Sequence, residues 1–311
     1  MNLTQLINEE KKKITSEIYT DPRFVQKLQT MADSVLVGTG SKAKVNVGFD
    51  FTSPNTVAYT TGDYIYINAA NSVSNHYELL NSRTLAIFGL LFHETAHIRY
   101  LDFAAELNIM NELADNGVLH GDLIPATKAD EPVVDEIQAA LSDTRYRGIF
   151  STIYHTLSNT FSDVHDEGKM CNTFHGIVER GIIFAAESMR LQAVSIEKMK
   201  EEWESGDFPG LSVMFSVILE YARYGGVVIN DPDTCTPSTN VFLGKLERLK
   251  GVIDKGCSTD SLEEKFTCIN SLLIELWPFI QELLQVTPHS GMCGGDSNSR
   301  TESSVRRSQD T

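Results

Sequence analysis

Residues 85–103 read L-A-I-F-G-L-L-F-H-E-T-A-H-I-R-Y-L-D-F, and the fold must accommodate this stretch. Its first eight residues carry no charge, and then His93 and His97 follow with a spacing of four. Residues four apart lie on the same face of an α-helix, one turn from each other. A helix this apolar is predicted to be buried, so both imidazoles should enter the interior, where polar groups without partners are costly.

A metal ion satisfies two imidazoles placed in this way. In the pattern H-E-x-x-H, the two rings bind zinc and the glutamate acts as a general base. Zinc lowers the pKa of a bound water to about 7 and polarises a substrate carbonyl. We therefore predict that His93 and His97 bind Zn²⁺ and that Glu94 transfers protons during hydrolysis. The alternative interpretation is a pair of ordinary core histidines.

A catalytic zinc site needs a third protein ligand and an open fourth position. The longer pattern H-E-x-x-H-x-x-G-x-x-H is absent, because Tyr100 and Phe103 stand at its last two fixed positions. The best source of the third ligand is N-T-F-S-D-V-H-D-E-G at 159–168, where Asp163 is the predicted ligand. The alternative for this acidic cluster is a solvated helix end. Asp166 or Glu167 can orient a ligating histidine or serve as an alternative ligand, and His165 can be a ligand or an oxyanion donor. The rivals of Asp163 as the third ligand are Asp143 and, nearer to the motif, Asp102 and Glu106.

The sequence on either side of the motif predicts the surrounding fold. V-N-V-G-F-D-F at 45–51 alternates as a half-buried strand does, and 56–60 with 64–68 predict a hairpin. Ser82 is expected to cap the motif helix, which should run to about residue 108. After residue 131 the periodicity predicts helices over 132–146, 148–168, 172–204, 209–224, 240–254 and 260–285. This order predicts a predominantly helical α+β fold with a small β-sheet beside the motif helix.

The pattern of predicted helices and strands also indicates the domain organisation. Residues 1–175 are predicted to form the metal-binding lobe, and residues 176–286 a helical lobe packed on it. The stretch 287–311 is rich in glycine, serine and charged residues, so we expect a disordered tail or a linker there.

Charge, hydropathy and cysteine content argue against a nucleic-acid-binding, membrane-spanning or secreted protein. The formal net charge of −16 makes nucleic acid an unfavourable partner. No stretch contains the run of about 18 apolar residues that a membrane span needs. The N-terminal residues lack the apolar core of a secretory signal. The five cysteines form no C-x-x-C pair. These features predict a cytoplasmic protein with reduced thiols that does not bind a membrane.

Two motifs carry a resemblance to a known family. H-E-T-A-H-I-R-Y-L-D-F (93–103) and N-T-F-S-D-V-H-D-E (159–167) resemble the predicted metallopeptidases found beside von Willebrand A-type domains in bacteria and phages, relatives of a cobalt-chelatase subunit. Those proteins show H-E-x-x-H-x-x-x-T-D-F and then N-x-x-E-D-x-R-x-E, which aligns Asn159, Asp163 and Glu167. L-E-Y-A-R-Y-G at 219–225 is also similar.

This chain departs from the family pattern at two positions. Ser162 stands where the family has glutamate, and His165 stands where it has arginine. If that glutamate is the family's ligand, Asp163 must substitute for it or the site is altered. The D-x-S-x-S motif of a von Willebrand A-type domain is also missing from the chain.

The resemblance implies a zincin-like fold, in which an edge strand beside the cleft pairs with an extended peptide. Y-I-Y-I-N (64–68) is the expected strand, with Tyr64 and Tyr66 as substrate contacts. The resemblance also implies a von Willebrand A-type or AAA ATPase partner. The predicted function is a zinc-dependent metallopeptidase that hydrolyses peptides or proteins. The alternatives are a non-catalytic interaction or assembly module that retains the scaffold, and hydrolysis of non-peptide amides at the same site.

Overall fold

The secondary structure comes from a computed structural model, which describes residues 16–51 and 55–286. Three strands precede most of the helices: β1 (Lys44–Gly48), β2 (Ala58–Thr60) and β3 (Tyr64–Asn68). The helices are α1 (Pro22–Leu36), α2 (Ser72–Asn75), α3 (Leu80–Tyr100), α4 (Phe103–Asn116), α5 (Glu131–Ser142), α6 (Thr144–Thr173), α7 (Ile177–Arg190), α8 (Ile196–Glu204), α9 (Gly210–Tyr224), α10 (Val241–Ser258) and α11 (Leu262–Val286). The predicted class, a predominantly helical α+β fold with a small sheet, is confirmed. The predicted tail at 287–311 and Cys293 lie outside the described residues.

The sheet is mixed, with the strand order β1-β3-β2. The predicted hairpin is confirmed, because β2 and β3 pair antiparallel with Tyr59 opposite Tyr66. However, β3 also pairs parallel with β1, with Val45 opposite Ile65. The prediction that 64–68 form an edge strand is therefore wrong, since both edges of β3 are already hydrogen-bonded. The edge strands of this sheet are β1 and β2.

The free edge of β1 is partly covered by a side chain. The amide of Gln29, on α1, donates to the carbonyl of Ala43 at 2.8 Å and accepts from the N–H of Val45 at 2.9 Å. The Gln29 amide thus bonds to the Ala43 carbonyl and the Val45 N–H as a neighbouring strand would, so these two groups are not available for pairing with another strand. The strand itself ends at Gly48, earlier than the predicted end at residue 51.

The motif helix α3 is shorter than predicted. Leu101 has an extended conformation (ψ 134°) that ends α3 at Tyr100. Asp102 then caps α4 by accepting a hydrogen bond from the N–H of Ala105 at 3.0 Å. An aspartate just before a helix accepts a hydrogen bond from one of the N–H groups of the first turn, which otherwise have no partner. This cap favours ending α3 and starting α4 over one continuous helix. Ser82 lies inside α3, so its predicted role as the cap is wrong.

Helix α3 and helix α7 touch through their backbones. A Cβ atom placed on Gly89 would lie 2.1 Å from the carbonyl oxygen of Gly181, and one placed on Gly181 would lie 3.1 Å from the nitrogen of Gly89. Only glycine permits this approach, one turn before His93. Every residue of α3 from 86 to 98 except His93 is buried, as the uncharged sequence predicted.

The chain divides into two compact units. The first contains residues 16–51 and 55–101 together with Asp166–Gln192, and the second contains Asp102–His165 and residues 193–286. The boundary between the units falls within α6, between His165 and Asp166, and α7 belongs to the first unit, whereas the sequence predicted a linear division at residues 175 and 176. The predicted helix over 172–204 is in fact the end of α6 followed by α7 and α8.

Two further expectations concern the described residues. Cys171, Cys235, Cys257 and Cys268 are free thiols, in agreement with the predicted absence of a disulfide frame. None of the helices in 16–51 and 55–286 combines the length and the apolar character that crossing a bilayer requires.

Candidate metal centre

His93 and His97 bring one nitrogen each to a common point. Their Nε2 atoms are 3.3 Å apart, and the rings are nearly perpendicular at 83°. His97 is 4% exposed, whereas His93 is half-buried. The spacing of four residues on the buried helix α3 produces this convergence directly.

The opposite nitrogen of each ring meets a carboxylate of α6. Nδ1 of His93 lies 2.8 Å from Oε1 of Glu167, and Nδ1 of His97 lies 3.1 Å from Oδ2 of Asp166. An ionised carboxylate only accepts hydrogen bonds, so each ring donates through Nδ1–H, and a neutral ring then carries its lone pair on Nε2. The two lone pairs therefore point toward the shared space.

This arrangement fits a zinc ion. Two nitrogen ligands about 2.0–2.1 Å from zinc in a tetrahedral site are about 3.3–3.4 Å apart, and the two Nε2 atoms are separated by 3.3 Å. Carboxylates on the far nitrogens are the usual partners of zinc-binding histidines, because they fix the tautomer and the ring orientation. If both rings are neutral, the lone pairs on the two Nε2 atoms repel each other. Either a metal ion between them or a proton on one Nε2 relieves this repulsion.

Asp163 is the third member of the group. One potential ligand atom from each of His93, His97 and Asp163 lies within 4.8 Å of the others, and no second group of this kind occurs in the part of the chain that the structure describes. Asp163 precedes Asp166 and Glu167 by about one turn of the continuous helix α6. The structure thus brings together the three predicted ligands, while their role in metal binding stays a prediction.

The predicted rivals of Asp163 have other partners. His165 lies 3.1 Å from Asp260, and Glu106 accepts a hydrogen bond from Lys265 at 2.6 Å. Asp102 caps α4, as described above. Asp143 accepts from Arg145 at 3.0 Å, and this ion pair lowers its pKa to about 2.

Ser162 contacts an ion pair of the second unit. The Ser162 hydroxyl lies 2.8 Å from Nζ of Lys265 and 3.4 Å from Oε1 of Glu106. Position 162 therefore faces the part-buried ion pair of Lys265 and Glu106 in the second unit. It was Asp163, the next residue along α6, that joined the histidine group.

Glu94 follows His93 on α3 and is 2% exposed. A carboxyl group buried to this extent is sheltered from bulk water, as catalytic acids and bases commonly are. Its predicted role as general base remains a prediction.

Tyr64 and Tyr66 lie on the outer face of the sheet. Their rings stack 6.0 Å apart, and Tyr66 also stacks on Tyr59 at 4.7 Å. Side chains alternate along a strand, so these rings project away from the face that carries the buried Ile65 and Ile67. Tyr64 is 42% exposed and accessible to a ligand. Substrate binding by these tyrosines stays a prediction.

Sequence reasoning missed one residue that contacts the group. Arg223 places Nη2 3.4 Å from Oδ2 of Asp163. The sequence feature that could have pointed to Arg223 is its place as the single arginine near the end of the apolar helix α9. A guanidinium buried there needs an acidic partner. The pattern L-E-Y-A-R-Y-G drew attention to this stretch but not to the partner of its arginine.

No protein-family model, curated protein or solved structure matches this chain. The family resemblance therefore rests on the motif residues quoted above.

Proposed function

We propose that the protein is a zinc-dependent metallopeptidase. The observation that carries this proposal is the convergence of His93 Nε2 and His97 Nε2 at 3.3 Å, with Asp163 within ligand range. In the proposed site these three residues hold Zn²⁺. Glu167 and Asp166 hold the two rings through Nδ1.

The bound metal would polarise the scissile carbonyl and lower the pKa of a water molecule. Glu94 accepts a proton from the attacking water as the new carbon–oxygen bond forms. It then donates that proton to the leaving amine nitrogen as the carbon–nitrogen bond breaks. The carboxylates of α6 keep the histidine tautomers unchanged throughout. The proposed substrate is a peptide or protein; pairing of that substrate with β3 is not part of the proposal, because both edges of β3 are hydrogen-bonded within the sheet.

The first test is metal content. Protein purified without chelator is analysed for zinc in the wild type, His93→Ala, Asp163→Ala and the control His175→Ala. His175 is a suitable control because its ring lies at the surface beside Glu179. We expect about one zinc per chain, lost in the first two variants and kept in the control. A wild type that binds no zinc after reconstitution would contradict the proposal.

The second test separates binding from catalysis. Glu94→Gln has nearly the same shape but cannot accept a proton from water. It should keep its zinc and lose hydrolysis of a peptide library that the wild type cleaves. Equal cleavage by the two proteins would remove Glu94 from the mechanism.

Deep burial supports a second candidate, a structural zinc in a non-catalytic interaction module. Glu94, His97 and Asp166 are each at most 4% exposed, which is typical of closed sites. In this case zinc removal should unfold the first unit, and no peptide should be cleaved. Thermal unfolding with and without chelator, measured beside the library assay, distinguishes the two functions.

A further inference from the structure

Arg223 carries a buried positive charge near the end of α9. Its side chain is 8% exposed, and its Nη2 atom lies 3.4 Å from Oδ2 of Asp163, whose side chain is 11% exposed. Both residues belong to the second unit. A guanidinium is held in such a place only with an anionic partner, because an unpaired buried charge is strongly destabilising.

A second donor reaches the same carboxylate oxygen. Nδ2 of Asn159, one turn earlier on α6, also lies 3.4 Å from Oδ2 of Asp163. Two donors on one oxygen, from two different helices, restrict rotation of the carboxylate about its χ angles. Partners of this kind around a ligating carboxylate support its geometry.

We propose that Arg223 is a positioning residue for Asp163. It holds Oδ2, so that the other carboxylate oxygen is presented as the metal ligand. This inference rests on the proposed function, because it takes Asp163 to be a ligand of zinc. It adds a residue of the second unit that acts on the metal through Asp163.

Two effects of the guanidinium oppose each other. Its hydrogen bond orients the carboxylate, whereas its positive charge repels a dication. Loss of a hydrogen bond to a metal ligand typically lowers metal affinity by about 10–100-fold. We expect orientation to dominate, so that Arg223→Met binds zinc about 10–100-fold more weakly than the wild type.

The experiment measures the zinc affinity of the metal-free protein by competition with a chromophoric chelator. The variants are Arg223→Met, Arg223→Gln and Arg223→Lys. Glutamine keeps a donor without the charge, and lysine keeps the charge, so partial recovery of affinity by either shows which property matters. The absorption spectrum of the Co²⁺-substituted protein reports ligand geometry independently, and it should change in Arg223→Met.

Lys265→Met is the matched control. The Lys265 side chain is 9% exposed and pairs with Glu106, also within the second unit. Removal of the Lys265 ammonium leaves the part-buried carboxylate of Glu106 without its cation, as Arg223→Met does for Asp163. The ammonium of Lys265, however, contacts Glu106 and Ser162. The control should lose stability and retain both the zinc affinity and the cobalt spectrum of the wild type.

The outcomes separate the two proposals. Zinc affinity and a cobalt spectrum that are unchanged in Arg223→Met overturn the positioning role and leave the metallopeptidase intact. Tighter zinc binding in Arg223→Met also overturns it, because repulsion would then dominate. If Arg223→Met does not fold, the same comparison is made with Arg223→Gln and Arg223→Lys. A wild type that binds no zinc overturns both proposals together.

Discussion

Glu167 lies 2.8 Å from Nδ1 of His93, although 74 residues separate them in the chain. This contact holds the Nδ1 edge of the His93 ring, so that Nε2 is the nitrogen directed toward the space between His93 and His97. Asp166 does the same for His97 at 3.1 Å. Neighbouring residues of one helix thus orient the two rings of another, which is the arrangement that zinc-binding histidines require.

Neutralising either carboxylate should weaken metal binding. Glu167→Gln and Asp166→Asn each replace a charged acceptor with a weaker neutral one of the same shape. We expect zinc affinity to fall by about 10–100-fold in each variant, measured by chelator competition. Glu179→Gln, which alters a surface pair with His175, is the control and should behave as the wild type. Unchanged affinity in both site variants would mean that the rings do not bind zinc through Nε2.

The helix crossing beside the site should not tolerate a methyl group. Gly89→Ala would bring Cβ within 2.1 Å of the Gly181 carbonyl oxygen, so the two backbones must separate. Overpacking of this kind typically costs about 1–3 kcal/mol, measured as the free energy of unfolding in urea. Gly148→Ala is the control, because its Cβ meets nothing within 4 Å. It should be neutral or stabilising by up to about 1 kcal/mol; equal destabilisation by both variants would argue against the crossing.

Introducing glutamate at position 162 should not change the candidate metal site. Ser162→Glu would place a second carboxylate beside Glu106 at a position that is 2% exposed. We expect unchanged zinc affinity together with a loss of about 1–3 kcal/mol of stability from overpacking. Ser162→Ala, which removes only the hydroxyl group, should be milder. Zinc affinity that rises in Ser162→Glu would show that position 162 faces the metal instead.

Cys257 should resist alkylation at neutral pH. Burial, with Asp254 as a further cause, raises the pKa of its thiol to about 12. The thiolate is the reactive form, so labelling by iodoacetamide in the folded protein should remain slow at pH 8 and increase only as pH approaches 12. Mass spectrometry of the labelled peptides, with protein unfolded in guanidinium as the control, measures this difference. Equally fast labelling of folded and unfolded protein at pH 8 would contradict the burial.

The same shift has a consequence for stability. The folded-state pKa of Cys257 lies above the unfolded value, so the folded state holds its proton more tightly. The stability linked to this proton is fully present below the unfolded pKa of about 8.5. It is lost progressively as pH rises through the folded pKa of about 12.

Local pattern was sufficient for several features. The spacing of His93 and His97, the uncharged helix before them and the alternation over 56–60 and 64–68 depend only on neighbouring residues. Periodicity of 3.6 or 2 residues determines which side chains share a face. The convergent histidines, the hairpin and the predominantly helical class could therefore be predicted.

Long-range pairing could not be predicted in the same way. The parallel alignment of β1 with β3 makes β3 the central strand, and no periodicity within Tyr64–Asn68 encodes the neighbour on its second edge. The end of α3 at Tyr100 was also not predicted. The chain there can either continue α3 or begin α4 with Asp102 as its cap, and the sequence allows both.

The sequence by itself determined that two imidazoles and a carboxyl group lie on one buried helix, because helical geometry is local. Only the tertiary structure decided which distant groups meet them. The rotation of α6 about its own axis directs Glu167 to His93, Asp166 to His97 and Ser162 to Lys265. That rotation is set by packing of the whole helix against several others, so it cannot be derived from any single stretch of the chain.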